Sequence, residues 1–147
     1  MSSARSRPKN PPEFLVDECL GRHEVVTAIR QAGRKAIAHH ERFAAGTDDT
    51  TWLAEVAEHP DWVVLTKDAK IRRRPLELAA LSNSGAKVFT LTSGNLTGAE
   101  QAAAFVLALP KMERLSRRRG PFIATVTAGG AVNLLKPVPT SKKRRRV

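Results

Sequence analysis

The 147-residue sequence predicts a three-layer α/β fold: a central, mainly parallel sheet with helices on both faces and a C-terminal β-hairpin at one edge. Three observations predict it. Short apolar runs recur along the chain, longer stretches with apolar positions at helical spacing separate them, and the clearest runs give out at aspartates. Strands separated by helices of about a dozen residues need crossover connections, which are right-handed and build a parallel sheet covered on both faces.

Phe14-Leu15-Val16, ending at Asp17-Glu18, predicts the first buried strand. Residues 22–32 follow as a helix, with Val25, Val26, Ile29 and Ala32 recurring at helical spacing and Gly33 placed to stop it. Residues 35–39 predict a second strand with Ile37 inward, on a weak alternation. The polar loop Gly46-Thr47-Asp48-Asp49 feeds a helix on which Trp52, Leu53, Val56 and Ala57 share one face. Pro60-Asp61 breaks it ahead of the best-defined strand, Trp62-Val63-Val64-Leu65-Thr66, which runs out at Asp68.

Pro75 suits the first turn of a third helix that reaches Leu81 and stops at Gly85. Val88-Phe89-Thr90-Leu91 predicts the next strand, followed by Ser93-Gly94-Asn95. Thr97 and Glu100 have capping-box spacing at the head of a helical stretch over 99–118, which Pro110 is expected to kink or split. Residues 122–127, a Gly129-Gly130 turn and residues 131–135 close the chain as a hairpin.

Composition narrows the class. A hydrophobic fraction of 41% supports a packed core, and the lone Cys19 leaves no intrachain disulfide. No apolar stretch approaches the roughly 18 to 20 residues of a bilayer span, and the polar, basic start precedes no signal-type apolar segment. The expectation is a soluble, cytoplasmic protein with no membrane partner. The net charge of +11 sits mostly at the ends: residues 1–12 and 136–147 carry nine bases and no acid. That leaves 16 bases against 14 acids in residues 13–135. The expected organisation is a basic disordered arm (1–12), one α/β domain (13–135) and a basic disordered tail (136–147).

In an open parallel sheet, loops and helix N-termini converge beyond the carboxyl ends of the strands, so ligands bind there. Asp17 and Asp68 fall at or just past such ends, and Asp49, or Asp48 beside it, starts a helix at the same edge. Ionised carboxylates ~4 Å apart repel by about 4 kcal/mol at an effective dielectric near 20. Protonation, a neighbouring Lys or Arg, or a divalent cation relieves that repulsion. Oxygen-only ligands with no His or Cys at metal-binding spacing suit Mg²⁺ or Mn²⁺. The plain alternatives are an N-cap for Asp48 or Asp49 and a turn residue for Asp68.

Phe14-Leu15-Val16-Asp17-Glu18, the Asp49 helix start with Trp52-Leu53 behind it, and Val63-Val64-Leu65-Thr66-Lys67-Asp68 resemble the three acidic motifs of PIN-like nuclease domains. The small branch similar to VapC-type toxins is the nearest likeness, over about residues 13–127. The resemblance implies Mg²⁺- or Mn²⁺-dependent hydrolysis of RNA phosphodiesters, usually by the toxin half of a toxin–antitoxin pair. By the same match Asp17 is the first acid, Asp68 the acid of the Thr-x-Asp motif and Asp49 the middle one, and the expected mechanism is one metal ion, held by Asp17 and Asp68 with Asp49 direct or through water, that activates a bound water. Many such domains carry a fourth acid soon after the third motif, where this chain reads Ala69-Lys70-Ile71-Arg72-Arg73-Arg74. Lys67, Lys70 and Arg72 are therefore expected to hold substrate phosphates. Thr66 is expected to orient Asp68, and Ser93 or Asn95 to reach a phosphate or the metal's water shell.

Expected partners are RNA, a small antitoxin protein and a second copy of the chain. Two other functions stay open at this level: a receiver-like phosphorelay domain with Asp68 as phosphoacceptor, and a non-catalytic nucleic-acid-binding module working through the basic arms. Other features read as structural. His39-His40 is a surface or strand-end pair, Cys19 a packed thiol, and Trp52 and Trp62 are core anchors. Arg114, Arg117, Arg118 and Arg119 suit either a helix C-terminus or an RNA groove.

Overall fold

β1 (Glu13–Val16) lies second in a six-stranded sheet whose strand order is β2-β1-β3-β4-β5-β6, with β2 Lys35–Ala38, β3 Trp62–Thr66, β4 Lys87–Leu91, β5 Phe122–Val126 and β6 Val132–Leu134. β2, β1, β3, β4 and β5 pair in parallel and β6 returns antiparallel to β5, as the expected hairpin. The computed structural model describes residues 11–21, 23–67, 83–92 and 95–135, Asp49 by its backbone alone. Asp68, Lys70, Arg72, Ser93, the body of the helix expected from Pro75, and residues 1–10 and 136–147 lie outside them.

The strands read as near-continuous apolar runs because both faces are covered. Phe14, Val16, Val63, Leu65, Phe89 and Leu91 pack with α1 (Glu24–Gln31) and the long α4 (Gly98–Leu115) in one core. Leu15, Trp62, Val64, Val88 and Ile123 face the other way, onto Trp52, Leu53 and Val56 of α3 (Asp49–Val56). Both tryptophans are core anchors, as expected; the His59 ring stacks on Trp62 at 4.0 Å. Gly130, at φ +86° in the β5–β6 turn, packs so close to α4 that a Cβ there would lie 2.6 Å from Leu107 Cβ.

Two local expectations need correction. Pro110 neither ends nor divides α4, which runs unbroken over 18 residues behind the Thr97–Glu100 capping box. The ring sits on the exposed face of the helix, and Val106, whose carbonyl loses its usual amide donor, is only half-buried. β2 stops at Ala38, and a short helix α2 (His39–Arg42) takes over at His39. That turn protects the free edge of β2: Arg30 donates to the Ala36 carbonyl at 2.8 Å, Glu41 accepts from the Ala38 amide at 2.9 Å, and the two side chains pair. Ile37 packs inward against the α3 core, as expected, and is half-buried there, while Ala36 and Ala38 are buried in the other core.

No helix among the described residues is long and apolar enough to cross a membrane. Phe105 is fully buried between α4 and the sheet while Leu107, two residues on, is 61% exposed. Phe105→Ala is expected to lower unfolding stability by about 3–5 kcal/mol and Leu107→Ala by under ~1 kcal/mol, read from urea denaturation midpoints.

Candidate active site

The chain leaves β1 for β2 on one side and then returns past β1 to β3 on the other. The reversal opens a crevice between the carboxyl ends of β1 and β3, the place where doubly wound sheets bind ligands. Register fixes what stands there. Val16 is opposite Leu65, and the Asp17 amide donates to the Leu65 carbonyl at 2.9 Å, so the residue after β1 meets the last residue of β3.

The Thr66 hydroxyl donates to Asp17 Oδ2 at 2.8 Å. The Cys19 thiol approaches the same oxygen at 3.3 Å and the Thr66 hydroxyl at 3.3 Å, while the Lys67 amide donates to Cys19 Sγ at 3.4 Å. Among the described residues the Thr66 hydroxyl serves Asp17; Asp68, which the sequence reading set beside Thr66, lies outside them. Burial, and next the Asp17 charge, push the Cys19 thiol up to about 11, so it stays a neutral donor and a packed group, not a nucleophile.

Asp17 is half-buried, forms no ion pair among the described residues, and its Oδ1 has no hydrogen-bond partner among them. A carboxylate with one oxygen fixed and the other unused is a suitable hard-oxygen ligand, and its donor set fits Mg²⁺ or Mn²⁺. Among the described residues no group of three His, Cys, Asp or Glu side chains forms a metal cage.

The start of α3 separates the two candidate middle acids. Asp48 is the N-cap: its carboxylate accepts from the Thr51 amide at 3.1 Å and the Thr50 hydroxyl at 3.2 Å, and these bonds, Thr51 first, hold it below the usual carboxylate range. Asp49 is the first helical residue, one position beyond the cap. The helix lies against the site. Trp52 lines, with Leu15, Asp17, His39 and Val64, one void too small for a water molecule. Asp68, Lys70 and Arg72 lie outside the described residues; Lys67 follows β3 beside Thr66, and Asn95 is exposed beyond β4 at the same edge.

The arginines closing α4 stand elsewhere, because α4 starts at the carboxyl edge and runs to the amino edge. A cleft of about 560 Å³ there is lined by Arg34, Asp61, Lys87, Glu113, Ser116 and Arg117, among others. Arg34 pairs with Glu113, and the buried Lys87 ammonium donates to the carbonyl of Ser116, the residue that caps α4. This network ties the helix end to the sheet.

Sequence reasoning missed two residues at the carboxyl edge. Glu18 accepts from the Gly46 amide at 3.3 Å, stitching the loop before α3 to the turn after β1. His39 is 3% exposed, and neither ring nitrogen has a hydrogen-bond partner. The Asp17-Glu18 step was visible in the sequence. Burial of His39 depends on where β2 stops, which periodicity over four residues cannot give.

Residues 12–93 match the family described as PIN like domain. A protein of Mycobacterium tuberculosis (strain ATCC 25618 / H37Rv) named "Putative ribonuclease VapC45" is 32% identical over 126 residues, which is 83% of this chain and 91% of that protein. No solved structure matches the chain.

Alkylation of native Cys19 is expected to be slow at pH 8 and to accelerate about tenfold per pH unit until it levels near pH 11. Asp17→Asn removes the charge that disfavours the thiolate and should move the plateau down. A plateau near the free-cysteine value of about 8.5 in the wild type would contradict the geometry.

Proposed function

The chain belongs to the PIN-like domain family, and on that premise we propose that it is a divalent-metal-dependent endoribonuclease, the toxin of a toxin–antitoxin pair. The observation that carries the proposal is the Asp17 carboxylate, locked through one oxygen by Thr66 of the neighbouring strand and left without a cationic partner among the described residues. The relative named as a ribonuclease supports the same reading.

Asp17, Asp68 and Asp49 are the proposed metal ligands, Asp49 directly or through water; Asp48 is already committed to capping α3. A bound Mg²⁺ or Mn²⁺ would supply positive charge both for activating a water and for the negative charge that builds on the phosphate. Thr66 fixes the rotamer of Asp17, and Cys19 gives the same oxygen a second, weaker donor. Without those donors a carboxylate must be ordered on each binding event. Lys67, Lys70 and Arg72 are proposed to hold the phosphates flanking the cut, since cations beside a neutralised acid cluster attract the RNA backbone. Asn95 is proposed to contact a phosphate or the metal's water shell. RNA is the substrate, a small antitoxin protein and a second copy of the chain are the partners this reading implies, and the cytoplasm is the compartment.

Purified protein with Mn²⁺ is expected to cleave RNA internally and to lose that activity in excess EDTA. Asp17→Asn or Asp68→Asn should each reduce the rate at least about 100-fold, equivalent to roughly 2.7 kcal/mol of barrier, with the thermal midpoint unchanged or raised. Protein inert on varied RNAs with Mn²⁺ present would overturn the proposal.

A further inference from the structure

A second feature of the carboxyl edge is unused by the chemistry above. Glu18, Gly21, His39, His40 and Ala45 line a cavity of about 320 Å³. Glu18 directly follows Asp17 and His39 directly follows β2, so the cavity adjoins the crevice that holds the acid. Its size lies at the lower end of the ~300–1,000 Å³ of small-molecule sites, room for one nucleoside and not for a protein segment.

The lining has a definite chemistry. The Glu18 side chain is 43% exposed, and its only hydrogen-bond donor among the described residues is the Gly46 amide, at 3.3 and 3.5 Å. A carboxylate accepts only, so much of its capacity stays free. The floor is His39, 97% buried with two unpartnered ring nitrogens, its Nδ1 3.8 Å from Glu18 Oε1 and too far for a hydrogen bond. Buried polar atoms left in this state are costly unless a ligand or a small shift satisfies them. At the rim the exposed His40 ring meets the His23 ring at 6.4 Å, edge to face.

We propose that this cavity is a guanine-selective base subsite for the RNA; that the ligand is RNA rests on the nuclease reading above. A cavity walled by a carboxylate repels phosphate and favours a neutral ring rich in N–H donors. Guanine alone presents two parallel donors, N1–H and N2–H, on its Watson–Crick edge, matching the two carboxylate oxygens. Adenine and cytosine offer one amino group beside an acceptor nitrogen, and uracil one N–H between two carbonyls, so each sets an acceptor against Glu18. A splayed-out base also stacks on an aromatic ring, the part given to His40. A site built to hydrogen-bond two donors discriminates strongly against analogues that lack them.

The test uses the full chain and the four nucleoside 5′-monophosphates as probes, with binding followed by amide chemical shifts. All four carry the same phosphate, so differences among them read the base. GMP should bind at least tenfold tighter than AMP, CMP or UMP, with shifts centred on Glu18, Gly21 and His40. Glu18→Gln, which sets an amide donor against the guanine donors, should erase that preference, and His40→Ala should weaken GMP binding while keeping it. Equal binding of the four, or an unchanged preference in Glu18→Gln, overturns the proposal. The nuclease reading fails separately. GMP-selective protein that cleaves no RNA would sink that reading and keep the subsite, whereas RNA cleavage with no preference for guanosine beside the cut would sink the subsite and keep the nuclease.

Discussion

The hydrogen bond from Thr66 to Asp17 is the constraint on which the site depends, because it joins the ends of the two strands between which the sheet changes direction. β1 and β3 are neighbours only because the chain reverses its winding there, and the register Val16 to Leu65 delivers an acid and a hydroxyl to one point. Shifting that register by one residue would turn every side chain of β1 to the opposite face and unmake both cores. The apolar alternation that builds the sheet therefore also aims the carboxylate.

Around that point the edge is stitched by polar contacts whose donors and acceptors come from different loops. Cys19 bridges Asp17 and the Lys67 amide, Glu18 reaches the Gly46 amide, and Asp48 holds the first turn of α3. Each link is modest alone, of order 1 kcal/mol net, but together they define one geometry for segments with little apolar surface of their own. The amino edge is organised differently, by the Arg34–Glu113 pair and the buried Lys87 at the end of α4, and it holds no part of the proposed chemistry.

The architecture was legible in the sequence wherever an element could be identified by its own pattern. The all-buried strands β3 and β4, the α3 face of Trp52, Leu53 and Val56, and the Thr97–Glu100 box each signal their element locally. Pro110 misled because what a proline does to a helix depends on the face its ring occupies, here the exposed one, a fact of tertiary position. Asp17 was legible from its place after a buried run, and the chain's likeness to the PIN-like family is shown by the match over residues 12–93. The bond from Thr66 to Asp17 was not legible, since it depends on register, and neither was the capping role of Asp48, since consecutive acids both suit a helix start. The switch-point crevice would serve a phosphoacceptor as well as a nuclease, and it is the family that favours the latter.

Manganese titration of the metal-free full chain, followed by the electron paramagnetic resonance of free Mn²⁺, tests the central claim most directly. One Mn²⁺ should bind to the wild type, its affinity falling at least tenfold in Asp17→Asn and measurably in Thr66→Val, where the carboxylate survives without its hydroxyl partner. An unchanged Mn²⁺ affinity in Asp17→Asn would contradict the account, because the carboxylate that Thr66 holds in the crevice would then have no part in binding the ion.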